Sequence, residues 1–304
     1  MPTDSTNTVP PRAGFPRAAV VLFVGVLTMA WASPLIRWTA APPLVIGAGR
    51  LAMATALLTP LAWRQARTEW RALSTKQYVQ LAVAGIALGF HFAAWIASLG
   101  LTSVASSVAL VSMTPLFVAL ASTVLLRERV RRAMFASVTL AVAGSIVIGA
   151  SDAWGLEGAL AGDLLALFGA LMAAVYMIAG RALRRDLSLL AYIWPVYGVA
   201  ALVLLLGCAL TGQPLVGYDW RTYGLLVLLA VGPQIVGHSS ANWALRYLSP
   251  TFVTVVILGE SLGATALAFV LLGEQPAWTV LLGGGILLAG IALAVRAERE
   301  VTGR

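Results

Sequence analysis

The chain has 304 residues, 60% of them hydrophobic and only 11% charged, with 20 basic and 12 acidic side chains and a formal net charge of +8. A water-soluble globule cannot bury so much apolar side chain and still dress its surface with so few charges. That excludes ordinary soluble enzymes, nucleic-acid-binding domains and disordered scaffolds. The single Cys208 excludes a disulfide framework and a thiolate metal site; set in an apolar run, it reads as a small packing residue.

Residues 1–16 are polar, carry Pro10, Pro11, Gly14 and Pro16, and read as a disordered cytoplasmic tail. Beyond them, apolar runs of the roughly 20 residues a bilayer requires alternate with Pro, Gly and charge. They fall at 17–36, 43–63, 77–99, 103–126, 133–150, 158–180, 188–210, 222–245, 250–272 and 277–295. The expected fold is an all-α integral membrane protein with ten transmembrane helices. Five helices occupy 17–150, a linker spans 151–157, five more occupy 158–295, and 296–304 form a second cytoplasmic tail. The first span has a signal-peptide outline, with Arg12 and Arg17 before it and Ala30-Trp31-Ala32 near its end. Its length, and the repeat below, make it a retained span.

Basic residues fix the expected orientation. With the N-terminus in the cytoplasm, seventeen of the 20 bases lie in cytoplasmic segments, among them Arg64, Arg67, Arg127, Arg131, Arg181 and Arg299. Arg37 and Arg221 lie on the other side, and Arg50 within a span. This asymmetry predicts both termini inside, and it accounts for the positive charge without nucleic acid.

Residues 85–150 and 231–295 carry one pattern twice. His91 and Trp95 precede the polar break Thr102-Ser103, and the next helix ends at Leu125-Leu126-Arg127-Glu128. His238 and Trp243 precede Ser249-Pro250, and the next helix ends at Leu271-Leu272-Gly273-Glu274. Ala143-Gly144 and Ala289-Gly290 follow at similar depth. Five spans per half is an odd number, so the two copies insert with opposite orientation, as in many secondary transporters.

These landmarks resemble the drug/metabolite transporter superfamily, EamA type. The resemblance rests on Gly49-Arg50-Leu51-Ala52, on Pro115 followed by Leu126-Arg127-Glu128, on Leu272-Gly273-Glu274, and on the Gly-rich tenth span. It covers roughly 17–295 and is nearest to the aromatic amino acid exporters of the YddG type. It implies alternating-access export of small metabolites, chiefly amino acids with aromatic or large apolar side chains, across a bacterial inner membrane. The second half departs from the pattern, with Glu260-Ser261 where the first has Thr114-Pro115.

Polar side chains inside a bilayer are costly, so each is a functional candidate. Gln234, His238 and Asn242 are spaced i, i+4, i+8 and share one face of an α-helix. His91, Trp95 and Ser98 do the same. Tyr176, Trp194, Tyr197 and Trp243 add aromatic groups suited to stacking and cation–π contact. These polar and aromatic residues form the candidate substrate site, the competing role being helix–helix packing. Trp63, Trp70, Trp154, Trp220 and Trp278 fit an interfacial belt. Arg50, Glu260 and Pro115 are candidates for coupling or gating: Glu260 as proton carrier or ammonium partner, Arg50 as its ion-pair partner or a snorkelling base, and Pro115 as a kink, with Pro195 and Pro233 as further kinks. Gly85/Gly89 and Gly259/Gly263 allow close helix approach.

A membrane-embedded enzyme would need a visible catalytic constellation. There is no HExxH motif, nucleophile elbow, P-loop or pair of intramembrane aspartates. The expectation is therefore no enzyme, no cofactor and no metal, with small solutes, lipid and protons as partners. Export of other metabolites or drugs, cationic or sugar-like, is the alternative. A channel is a further one.

Overall fold

A computed structural model describes residues 14–98, 101–102, 104–128, 130–149, 160–273 and 275–302. Most of the N-terminal tail, the 151–157 linker with Trp154, Arg129 and Glu274 lie outside the described residues. All regular structure among the described residues is helical. In chain order the first half holds α1 (Phe15–Ala30), α2 (Ala32–Trp38), α3 (Pro43–Arg71), α4 (Thr75–Ser98), α5 (Val104–Val111), α6 (Thr114–Val124) and α7 (Arg132–Gly149). The second holds α8 (Leu160–Leu183), α9 (Leu189–Leu210), α10 (Trp220–Leu229), a π-helical segment (Ala230–His238), α11 (Ser239–Ala244), α12 (Pro250–Ile257), α13 (Glu260–Leu272) and α14 (Trp278–Thr302). Eight stretches are long and apolar enough to cross a membrane. Two shorter apolar helices, Ala109–Val124 and Arg132–Ile148, stand at the fourth and fifth expected spans.

Proline explains most of the breaks. Its ring removes one donor and blocks the carbonyl four residues earlier. Pro34 blocks Ala30, where α1 ends; Pro115 blocks Val111, where α5 ends; Pro233 blocks Leu229, where α10 gives way to the π segment. The freed Val111 carbonyl accepts from Thr114 Oγ1 at 2.8 Å. Pro195 does not break its helix: α9 runs through it. The carbonyl it frees, on Ala191, accepts from Trp70 Nε1 at 3.1 Å, so the expected kink yields no separate segment. The α12/α13 break has no proline. There the chain tightens at Leu258-Gly259 through i→i−3 bonds, Leu258 N–H to Val255 and Gly259 N–H to Val256.

The halves share backbone detail beyond their helices. Arg127 takes a left-handed conformation (φ 53°), as does Gly273 (φ 68°), and the two occupy matching places in Leu-Arg-Glu and Leu-Gly-Glu. In the first half the Glu128 N–H bonds the Ser122 carbonyl at 3.0 Å, which ties the residue after the left-handed Arg127 back to the last turn of α6.

Packing follows a two-fold pattern. α3 packs on α9, its counterpart, and α7 on α14. α4 packs on α8, while reciprocally α1 packs on the π segment and α11. The counterparts run antiparallel: Thr59 meets Trp194 and Gly47 meets Leu204, and Gly144 meets Leu287 while Arg131 meets Glu300. Glycine makes the tightest crossing possible, because a Cβ on Gly144 would sit 2.5 Å from the Leu287 nitrogen and one on Gly290 2.6 Å from the Ala141 nitrogen. Gly85 and Gly89 seat Val199 and Val203 of α9, and Gly263 seats Ala30. Large apolar side chains such as Val20, Phe23, Leu61 and Leu206 remain exposed on the outside, where lipid tails replace water as solvent.

Candidate functional site: a cavity between the two halves

A cavity of about 230 Å³ lies where the halves meet. Both broken helices open onto it, with Ser112 and Thr114 at the α5/α6 break and Leu258 and Glu260 at the α12/α13 break. Discontinuous helices at corresponding places in two repeats are the usual frame of a carrier's binding site.

Six of the expected residues line this cavity: His91, Trp95 and Tyr176 from the substrate set with His238, and Arg50 and Glu260 from the coupling set. His91 Nδ1 donates to the Gly169 carbonyl at 2.9 Å, which leaves Nε2 of a neutral ring as an acceptor. The His91 and Trp95 rings are near parallel, 8° between planes and 6.3 Å between centroids. His238 meets the Phe92 ring edge-on at 5.8 Å, and its Nδ1 has no hydrogen-bond partner. The Arg50 guanidinium carbon lies over the same Phe92 ring, 4.9 Å from its centroid. Arg50 is only 3% exposed, and its Nε and Nη2 have no partner. Arg50 and Glu260 do not form the ion pair expected of them.

The other candidates are packed beside the cavity rather than on its wall. Asn242 is fully buried: its Oδ1 accepts from the Tyr176 hydroxyl at 2.8 Å, and its Nδ2 donates to the His238 carbonyl at 2.9 Å and to the Tyr197 hydroxyl at 3.3 Å. Tyr197 also shares a hydrogen bond with Ser239 (3.1 Å). Asn242 and Tyr197 thus hold Tyr176 and the end of the π segment in place. Gln234 is wholly buried, with both amide atoms unpartnered. It was expected to share a face with His238; the structure places His238 on the cavity wall and Gln234 buried behind it. Trp194 donates to Thr59 Oγ1 at 2.9 Å and lies tilted against Trp70 at 4.8 Å, in the α3–α9 contact. Trp243 lies tilted against Tyr247 at 4.6 Å. Ser98 bonds Ser107 at 2.6 Å. Pro115 is buried behind Thr114. Among the residues not anticipated on the wall are Phe92, Thr114 and Thr254. For Thr114 the signal was present, since its place before Pro115 lets it satisfy the freed carbonyl.

The base-rich end is closed by polar contacts that no span assignment anticipates. Glu128 accepts from Arg181 Nε at 2.9 Å and from Arg185 Nη2 at 2.8 Å, and Arg181 also donates to the Leu245 carbonyl at 2.6 Å. Arg184, buried at the end of α8, donates to the Asn242 and Leu187 carbonyls. Burial lowers this guanidinium to about 10, so it stays charged at neutral pH. Glu298 accepts from both the amide and the hydroxyl of Ser249, each at 2.7 Å, and Glu69 accepts from the Ser188 amide at 2.8 Å. Among the described residues no cluster of His, Cys, Asp and Glu could hold a metal ion.

Two helical halves, packed antiparallel around a buried polar and aromatic cavity, define a repeat-built helical membrane protein. The family follows from the sequence of those same halves. Residues 16–150 and 160–296 each match the EamA-like transporter family, and the chain belongs to that family. It is a multi-pass membrane transporter of small solutes. A solved crystal structure of a protein has the same fold, with a TM-score of 0.78 and 22% identity over 94% of this chain and 99% of the other. No curated protein sequence matches the chain.

Proposed function

We propose that the protein is a ten-span alternating-access carrier, built as two inverted five-helix repeats with both termini in the cytoplasm. Its substrates are amino acids with aromatic or large apolar side chains, exported across a bacterial inner membrane. The observation that carries this reading is the cavity wall. His91, Trp95, Phe92 and His238 provide flat faces and nitrogen atoms beside Arg50 and Glu260, which suits a solute that is apolar at one end and charged at the other. The two shorter apolar helices complete the span count when α5 is joined to α6 across the proline break. The asymmetry of basic residues supports the orientation.

Counterflow in proteoliposomes tests the reading. Vesicles loaded with unlabelled phenylalanine or tryptophan, and given a trace of labelled amino acid outside, should accumulate label transiently. Glutamate-loaded vesicles should not. Accumulation shows carrier exchange without any imposed ion gradient. Its absence with correctly folded protein would move the substrate to other metabolites or drugs, and a linear, non-saturable flux would make the protein a channel.

A further inference from the structure

Arg50 is the least expected side chain in the cavity. It sits two turns into α3, nearly without solvent exposure, in the apolar first half of that helix. Leaving an ion unpaired in such a place costs several kcal/mol in real proteins. Yet Nε and Nη2 meet no acceptor among the described residues, and the cation lies against the Phe92 ring. Glu260 faces the same cavity from the first turn of α13. The two line one cavity but do not close into an ion pair.

Opposite charges left apart in a low-dielectric cavity form a socket of two signs. Phe92 holds the guanidinium from below, and the Leu258-Gly259 break fixes where Glu260 begins its helix. The partial positive charge at that helix start favours an ionised carboxylate there. We infer that Arg50 and Glu260 are a split receptor for a zwitterion. The Arg50 guanidinium takes the solute's carboxylate, the Glu260 carboxylate takes its ammonium, and the Trp95–His91–Phe92 wall takes its side chain. This rests on the carrier reading above and assigns the recognition chemistry of that site. Each substrate charge neutralises one protein charge, so the loaded cavity is electrically balanced. An amine leaves Arg50 unpaired, and a carboxylic acid leaves Glu260 unpaired. Sites that bury a polar group in wait for its partner reject solutes lacking that partner by large factors.

The test is binding to purified protein in lipid nanodiscs, measured calorimetrically with phenylalanine, 2-phenylethylamine and 3-phenylpropionate. Phenylalanine should bind at least about a hundredfold more tightly than either single-charge analogue. Arg50→Gln should erase the preference for phenylalanine over phenylethylamine, and Glu260→Gln the preference over phenylpropionate. Arg50→Lys and Glu260→Asp should each keep part of the discrimination. Thermal melting of every variant reports folding separately. Should phenylethylamine bind the native protein as tightly as phenylalanine, or Arg50→Gln bind phenylalanine unchanged, the receptor assignment falls while phenylalanine counterflow still upholds the carrier. If neither binding nor counterflow is seen with any amino acid, the substrate class falls and takes the receptor with it.

Discussion

His238 and Asn242 lie one helical turn apart, and their surroundings predict opposite consequences of removal. His238 Nδ1 has no partner in the protein, while Asn242 serves Tyr176, Tyr197 and the His238 carbonyl at once. His238→Ala therefore orphans no other group, and Trp95→Ala removes a ring that stacks chiefly on His91. Both variants should be purified in normal yield and lose counterflow by about tenfold or more, the scale of one good polar or stacking contact. Normal transport in both would place the substrate elsewhere. Asn242→Ala, by contrast, should lower thermal stability first, because it strands the Tyr176 hydroxyl and removes one of the partners of the Tyr197 hydroxyl. The sequence showed which side chains are anomalous in a bilayer, and it grouped His91 with Trp95 correctly by α-helical spacing. It did not show that Gln234 lies buried behind the wall that His238 lines, nor that both sit in a π segment, which no hydrophobic pattern marks. Nor could it separate Trp194 and Tyr197, three residues apart on α9: both face inward, and only the position of α3 decides that Trp194 meets Thr59.

Helices pair in this protein by backbone approach rather than by large interlocking side chains, as membrane packing favours. The α7–α14 crossing is the clearest case. Gly144→Ala would drive a Cβ to 2.5 Å from the Leu287 nitrogen and 2.7 Å from the Gly283 carbonyl oxygen, and neither is a flexible side chain that could move away. The expected loss is about 1–3 kcal/mol, the usual cost of overpacking, seen as a lower melting temperature and a smaller folded fraction. Gly207→Ala is the control: nothing lies within 4 Å of the added carbon, and α9 gains helix propensity. Equal melting temperatures for the two variants would mean that the crossing is looser than its geometry implies. Helix positions were legible at this scale because apolar runs bounded by charge are a strong signal. The breaks were legible only in part. Pro115 and Pro233 announce themselves, and Pro195 announces a kink that Trp70 repairs by bonding the freed carbonyl. The Leu258-Gly259 break carries no proline and is found only by aligning Glu260 with Thr114.

At the scale of the whole molecule, polar contacts tie the base-rich end together and a cavity lies where the halves meet. A carrier must also visit a state in which that end opens, so the contacts closing it set the balance between the two. Glu128 is placed to matter most, since one carboxylate ties the connection after α6 to Arg181 of α8 and to Arg185 just beyond it, and Arg181 continues to the Leu245 carbonyl beyond α11. The Arg181–Glu128 pair is shielded, with side-chain exposures of 16% and 21%, whereas Arg185 is 51% exposed and contributes less. Glu128→Gln keeps the size and removes the charge, and weakening the clamp by about 1 kcal/mol would raise the open population roughly fivefold. Thr254, on the cavity wall one turn into α12, reports the change. In a Cys208→Ala background, Thr254→Cys should react with a membrane-impermeant maleimide about fivefold faster in inside-out vesicles when Glu128→Gln is added, and no faster in right-side-out vesicles. Faster labelling in the right-side-out vesicles would reverse the orientation drawn from the arginines. Equal rates in both preparations, with and without the substitution, would mean that Glu128 only finishes the end of α6 and that the clamp on opening lies at Glu298 and Ser249.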